Sequence, residues 1–249
     1  MLGSMTLTIV GISLAAALAT ILGGTLALKL RDKLHLILGF SAGAILAVAF
    51  FDLIPESIEL GGDLYSAGTL LTFTAVGFFL YTVLDRTILL HTHTDGDEGH
   101  VHGHSTQRGL IGAGSLSTHS FLDGFAIGLA FQASAAVGAV VAAAVLVHDF
   151  SDGINTVNLI QKNGGSRREA FKWLLIDAAA PVLGATSTLL FVFPDTLLAP
   201  ILATFAGFFL YIGAADLLPE SHHAHPRFMT TLMTLAGAFI LYIAIHIAG

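Results

Sequence analysis

The 249-residue chain contains no cysteine. Neither a disulfide framework nor a thiolate metal site can therefore form. Charge is scarce too: Asp, Glu, Lys and Arg supply 11% of the residues, against roughly 25% in an ordinary soluble domain. Only 10 residues are basic against 17 acidic, a net charge of −7, which argues against nucleic acid as a partner. The N-terminus lacks the charged start and small-residue cleavage site of a secretory signal peptide, so its apolar stretch reads as a first spanning helix. What the chain has in abundance is hydrophobic surface, 55% of residues with a mean hydropathy of +0.82.

Apolar stretches of about 20 residues mark membrane spans. Eight are expected, at 5–28, 35–58, 67–90, 109–132, 136–160, 169–193, 197–219 and 228–248. Internal polar residues make the second, fifth and seventh less apolar in expectation than the first and last. Lys29, Arg31, Lys33, Arg86, Arg108, Lys162, Arg167, Arg168, Lys172 and Arg227 all fall on one side of this eight-helix arrangement. The opposite connections hold Glu59, Asp63 and Asp195 and no basic residue. The positive-inside rule then places both termini outside the cytoplasm and the basic loops inside it. The expected fold is an all-α multi-pass protein of the cell membrane.

Internal similarity suggests 3+2+3 inverted repeats around a central pair. Asp52-Leu-Ile-Pro-Glu56-Ser57 near the end of the second span echoes Asp216-Leu-Leu-Pro-Glu220-Ser221 in the seventh. Gly77-Phe-Phe-Leu-Tyr81 in the third is repeated as Gly207-Phe-Phe-Leu-Tyr211 in the seventh. Within one transmembrane domain, 1–249, the expected parts are 5–90, a His-rich cytoplasmic loop at 91–108, the central pair at 109–160, and 169–248.

The chemistry concentrates in the central pair. His119-Ser-Phe-Leu-Asp123-Gly124 lies in the fourth span and His148-Asp-Phe-Ser-Asp152-Gly153 in the fifth. Residues four apart share a helical face. A carboxylate at bilayer depth costs on the order of 2.5–3.5 kcal/mol, so Asp123, Asp149 and Asp152 would together cost about 10 kcal/mol without compensation. Antiparallel packing brings His119, Asp123, His148 and Asp152 to similar depth as four N/O ligands, a set that suits zinc and accommodates iron or manganese with added waters. Ser120 and Asp149 point about 100° away and suit a second or transient position. Asn155 shares the Asp152 face, and Asp177 precedes the helix-loosening Pro181 in the sixth span. Gly112, Gly114, Gly124, Gly128, Gly153 and Gly184 permit close helix approach. Asp52, Glu56, Asp216 and Glu220 lie near helix ends and read equally as pathway or solvated residues, and Asp85 and Arg86 as an interfacial pair.

The segment from His91 to His104 alternates histidine with acidic residues and glycine, a multidentate tract for metal. His222, His223 and His225 form a second cluster on the same side. Eight of the twelve histidines thus face the cytoplasm in this reading.

With these motifs in view, the chain resembles the ZIP (Zrt/Irt-like) metal transporters, most closely the prokaryotic ones. The family's fourth-helix pattern is His-Asn-x-Pro-Glu-Gly, here His119-Ser120-Phe121-Leu122-Asp123-Gly124; the fifth-helix pattern is similar, here His148 to Gly153. The resemblance implies eight helices with outer termini and uptake of a divalent ion into the cytoplasm. It also implies two metal positions between these helices. Both glutamates are aspartates here, both motif prolines are absent, Ala180 stands where relatives place a glutamate before the sixth-helix proline, and Ile45 stands near a second-helix methionine. One well-formed position at His119, Asp123, His148 and Asp152 is therefore expected. The expected partners are divalent metal ions as transported substrate and the lipid bilayer, with a homodimer a possible assembly; no catalytic cofactor is expected. Two rivals use similar ligands. A membrane-embedded zinc hydrolase needs an open position for activated water, and a six-span cation exporter has inside termini.

Overall fold

The computed structural model describes residues 2–30, 33–93, 106–223 and 228–248. Among these residues the regular structure is entirely helical. Eight rods follow one another: α1 (Leu2–Leu30), α2 (Leu34–Gly61), α3 (Ala67–His93), α4 (Thr106–Ala133), α5 (Ala135–Lys162), α6 (Arg167–Leu190), α7 (Asp195–His222) and α8 (Phe228–Ala248). The eight expected spans each fall on one rod, and only the sixth overruns its rod, which stops at Leu190. Local chemistry sets several ends. Ser134 caps α5 by accepting from the Val137 amide. Ser166 and Glu169 close a capping box on α6, satisfying amides that would otherwise lack partners. Gly62, at φ 47, turns the chain away from α2, a conformation that glycine adopts without strain.

Seven rods are long and apolar enough to cross a membrane by length and composition, and the eighth, α4, is not among them. Of the three spans expected to be less apolar than the first and last, the fifth is so, while the second matches the first and the seventh matches the last. The polar load falls on α4, where Ser115, Ser117, Thr118, His119, Ser120 and Asp123 fall within nine consecutive positions. Large apolar side chains face outward on α1, α3 and α8, among them Leu18, Phe79 and Phe239. Most of α5 is buried. The chain is a multi-pass integral membrane protein.

The rods pack as two groups, α1, α4, α5 and α6 in one and α2, α3, α7 and α8 in the other. Rod α2 packs extensively along α7, and four close crossings are alike in construction, α1 with α5, α4 with α6, α2 with α8 and α3 with α7. Each is built on glycines that meet the partner's backbone reciprocally. A Cβ on Gly124 would lie 2.0 Å from the Pro181 carbonyl oxygen, and one on Gly184 2.0 Å from that of Phe121. A Cβ on Gly153 would likewise lie 1.9 Å from the Thr20 carbonyl oxygen, and one on Gly23 1.9 Å from that of Phe150. Gly43 and Gly237 do the same for α2 and α8, and Gly77 and Gly207 for α3 and α7. Such contacts are how helices approach closely in lipid.

The two copies of the Gly-Phe-Phe-Leu-Tyr sequence are neighbours across the α3–α7 crossing, where Gly77 meets Thr204 and Gly207 meets Thr74.

Two rods contain a π turn, Ala49–Leu53 in α2 and Ile212–Leu217 in α7. Each holds the aspartate, and sits just before the proline, of a repeated Asp-Leu-Ile/Leu-Pro-Glu-Ser sequence. Proline removes an amide and crowds the preceding turn; a widened turn absorbs both, and π turns recur at functional positions.

Candidate metal centre

The centre is built where α4 and α5 pack side by side, joined at Ser134. Gly124 and Gly153, immediately after the two motif carboxylates, let α6 and α1 press close behind them. This fixes the faces that carry His119, Asp123, His148 and Asp152. One donor atom from each of His119, Asp123, His148 and Asp152 lies within 4.8 Å of every other. His119 Nε2 is 3.1 Å from Asp123 Oδ2 and 3.5 Å from Asp152 Oδ2. His148 Nε2 is also 3.1 Å from Asp123 Oδ2. Bonds of about 2.0–2.2 Å place tetrahedral zinc ligands about 3.3–3.6 Å apart, so the cluster is within a small adjustment of that geometry. All four residues are buried, His148 at 0% exposure and His119, the most open, at 8%.

The histidine rings are oriented from behind. His148 Nδ1 lies 3.0 Å from the Ala144 carbonyl, one turn back on the same helix. His119 Nδ1 lies 2.7 Å from the Tyr81 hydroxyl, on α3. Both Nε2 atoms are thus turned toward the carboxylates. This is the arrangement of metal-binding imidazoles, whose second nitrogen is held by an oxygen. Asp152 Oδ2 has no hydrogen-bond partner among the described residues, a costly state for a buried carboxylate oxygen that a bound cation would relieve.

The other expected ligands divide. Asp149 is fully buried, with Oδ1 3.9 Å from His148 Nε2 and neither oxygen hydrogen-bonded among the described residues. Asp177 is committed elsewhere: Oδ1 accepts from Ser120 Oγ at 2.9 Å and Oδ2 from Thr156 Oγ1 at 2.8 Å. Ser120 is thereby turned away from the four-residue cluster and toward α6. Asn155 lines a cavity of about 390 Å³ that begins at His119 and Asp152. That cavity continues past Asn158 to Lys162, with Asp85, Asp216 and Glu220 on its far wall. It therefore leads toward the end of the molecule where the basic residues lie.

Asp85 is not in an ion pair with Arg86 among the described residues; its Oδ2 accepts from the Tyr211 hydroxyl at 2.8 Å. The α3–α7 crossing brings that tyrosine within reach. Much of the expected His-rich tract, from residue 94 to 105, and His225 lie outside the described residues. Sequence reasoning missed Tyr81, whose only signal was a hydroxyl on an apolar helix, repeated at Tyr211.

Comparison with known proteins resolves the family. A family model described as ZIP Zinc transporter matches residues 91–244. The chain belongs to the ZIP family. This ZIP chain is 26% identical to the zinc transporter ZupT of Corynebacterium aurimucosum over 250 residues, covering 93% of the chain and 94% of that protein. The ZupT of Corynebacterium glutamicum is likewise 26% identical, over 94% of the chain and 97% of its own length. Zinc transporter ZIP10 of Homo sapiens matches at 31% over 106 residues, which is 42% of the chain and 13% of that protein. The ZIP relatives are named as transporters, and the hydrolase alternative finds no support among them.

Proposed function

We propose that this ZIP protein takes up divalent transition-metal ions, zinc foremost, across the cell membrane into the cytoplasm. The observation that carries the reading is the buried quartet of His119, Asp123, His148 and Asp152 at the head of a polar cavity. Imidazole and carboxylate without thiolate suit zinc and also admit iron and manganese. Asp149 and Asn155 are assigned to the edge of the site, where an ion changes ligands. Ser120 and Asp177 are assigned to support, because Ser120 donates to one Asp177 oxygen and Thr156 to the other. The relatives named as zinc transporters favour the same substrate.

The topology follows from the charge distribution, with both termini outside and the cavity facing the cytoplasm. The 3+2+3 inverted repeat pairs α1 with α6, α2 with α7, α3 with α8 and α4 with α5. Under that exchange the α1–α5 crossing becomes α6–α4, and α2–α8 becomes α7–α3. The matching π turns in α2 and α7 support the same pairing. Transport then proceeds by relative movement of the two helix groups, which opens the quartet to one side at a time. The His-rich loops accept the ion inside, and the lipid bilayer is the solvent.

Zinc uptake into proteoliposomes tests the reading. His119→Ala and Asp152→Ala should each lower initial uptake by more than about tenfold while the protein still elutes as a folded species. Unchanged uptake in both variants would overturn the site. Turnover of a lipid or peptide without metal flux would instead favour a hydrolase.

A further inference from the structure

His119 and His148 present the same atom to the centre but are steadied in different ways. A histidine that binds a cation through Nε2 keeps its ring proton on Nδ1, and that N–H needs an acceptor. For His148 the acceptor is the Ala144 carbonyl, which belongs to α5 and moves with it. For His119 it is the Tyr81 hydroxyl, 2.7 Å from Nδ1, on a helix of the other group. The Tyr81 ring is held from two directions. Its centroid is 5.3 Å from that of Tyr211 and 5.4 Å from that of Phe208, both on α7. The ring stands edge-on to His119, with centroids 6.1 Å apart. At 8% exposure, it also lines the cavity.

We propose that Tyr81 is a positioning residue for His119, contributed by the opposite helix group, so that a strong grip on the ion exists only while the two groups are seated as they are here. The inference rests on His119 being a ligand, as put forward under Proposed function. An imidazole released from Tyr81 can rotate and exchange tautomers, and its Nε2 is then ready for the ion only part of the time. Movement of one group past the other therefore loosens one of the four ligands without any change within α4. His148 stays oriented throughout.

The test uses the full chain in lipid nanodiscs with zinc alone as probe. Tyr81→Phe deletes one hydroxyl and should weaken zinc binding by about tenfold or more, the usual cost of losing such a support. The loss should appear chiefly in KM for uptake. Tyr81→Gln, which restores an acceptor, should recover part of the affinity. In the background of His119→Ala, Y81F should add no further loss, whereas in the background of His148→Ala it should cost the same factor as in the native protein. An equal loss in both backgrounds makes Tyr81 a packing residue and ends the proposal, as does unchanged affinity in Y81F. Nitrogen-15 NMR of the zinc-loaded native protein gives a second reading that needs no variant. His119 should be ligated through Nε2 with its proton on Nδ1; ligation through Nδ1 overturns the inference. If His119→Ala itself binds and carries zinc normally, the site assignment fails, a result separable from all of these.

Discussion

At the residue scale, the centre depends on which polar atoms are already committed. Asp177 has two hydroxyl donors on its carboxylate, whereas Asp149 and Asp152 keep buried oxygens without donors among the described residues. Asp177→Ala should therefore act on stability. Two interhelical hydrogen bonds in a membrane protein contribute about 0.6 kcal/mol each on average, so thermal unfolding in detergent should show a loss of about 1–2 kcal/mol with little change in KM for zinc. Protons compete with metal for imidazole and carboxylate alike. Zinc affinity, measured by chelator competition, should fall progressively from about pH 7.5 to about pH 5.5. The clustering of His119, Asp123, His148 and Asp152 was legible in the sequence because a His and an Asp four apart, placed twice in apolar surroundings, put both pairs on facing helical sides. Tyr81 was not, because an aromatic residue on an apolar helix reads as packing until its hydroxyl is seen against a histidine nitrogen. Nor was the commitment of Asp177, since its donors come from two other helices.

At the element scale, the glycine crossings distinguish tight positions from open ones. A methyl group at Gly124 would sit 2.0 Å from the Pro181 carbonyl oxygen, whereas at Gly114 the nearest atom is Trp173 Cη2 at 3.7 Å. Gly124→Ala should thus force α4 and α6 apart and cost about 1–3 kcal/mol, the usual range for overpacking. Gly114→Ala should be neutral or slightly stabilising. Denaturation of the two variants side by side checks the contrast. Span positions were readable because each rod carries its own apolar length and its own end signals, such as Ser134 and Ser166. Partners were less readable. Of the two repeated sequences, the copies at Asp52 and Asp216 share a π turn, whereas those at Gly77 and Gly207 lie against each other. Only contact separates the cases.

At the scale of the whole molecule, the absence of native cysteine makes accessibility a clean measurement, since a single introduced thiol is the only target. Asn158→Cys, on the cavity wall, should react with a membrane-impermeant thiol reagent from the cytoplasmic face and not from outside. A cysteine at position 63, between α2 and α3, should show the reverse. Labelling of both from one face would refute the orientation.

The polarity of α4 also bears on how the protein is made. The helix that brings His119 and Asp123 to the centre is the one that lipid accepts least readily on its own merits. Its hydroxyls, imidazole and carboxylate are sheltered by the packing of α5 and α6 against it, and lipid alone would penalise them. Variants that loosen the Gly124–Gly184 contact should accordingly reach the membrane in lower yield than the native protein, a deficit that quantifying inserted protein separates from any change in ion flux.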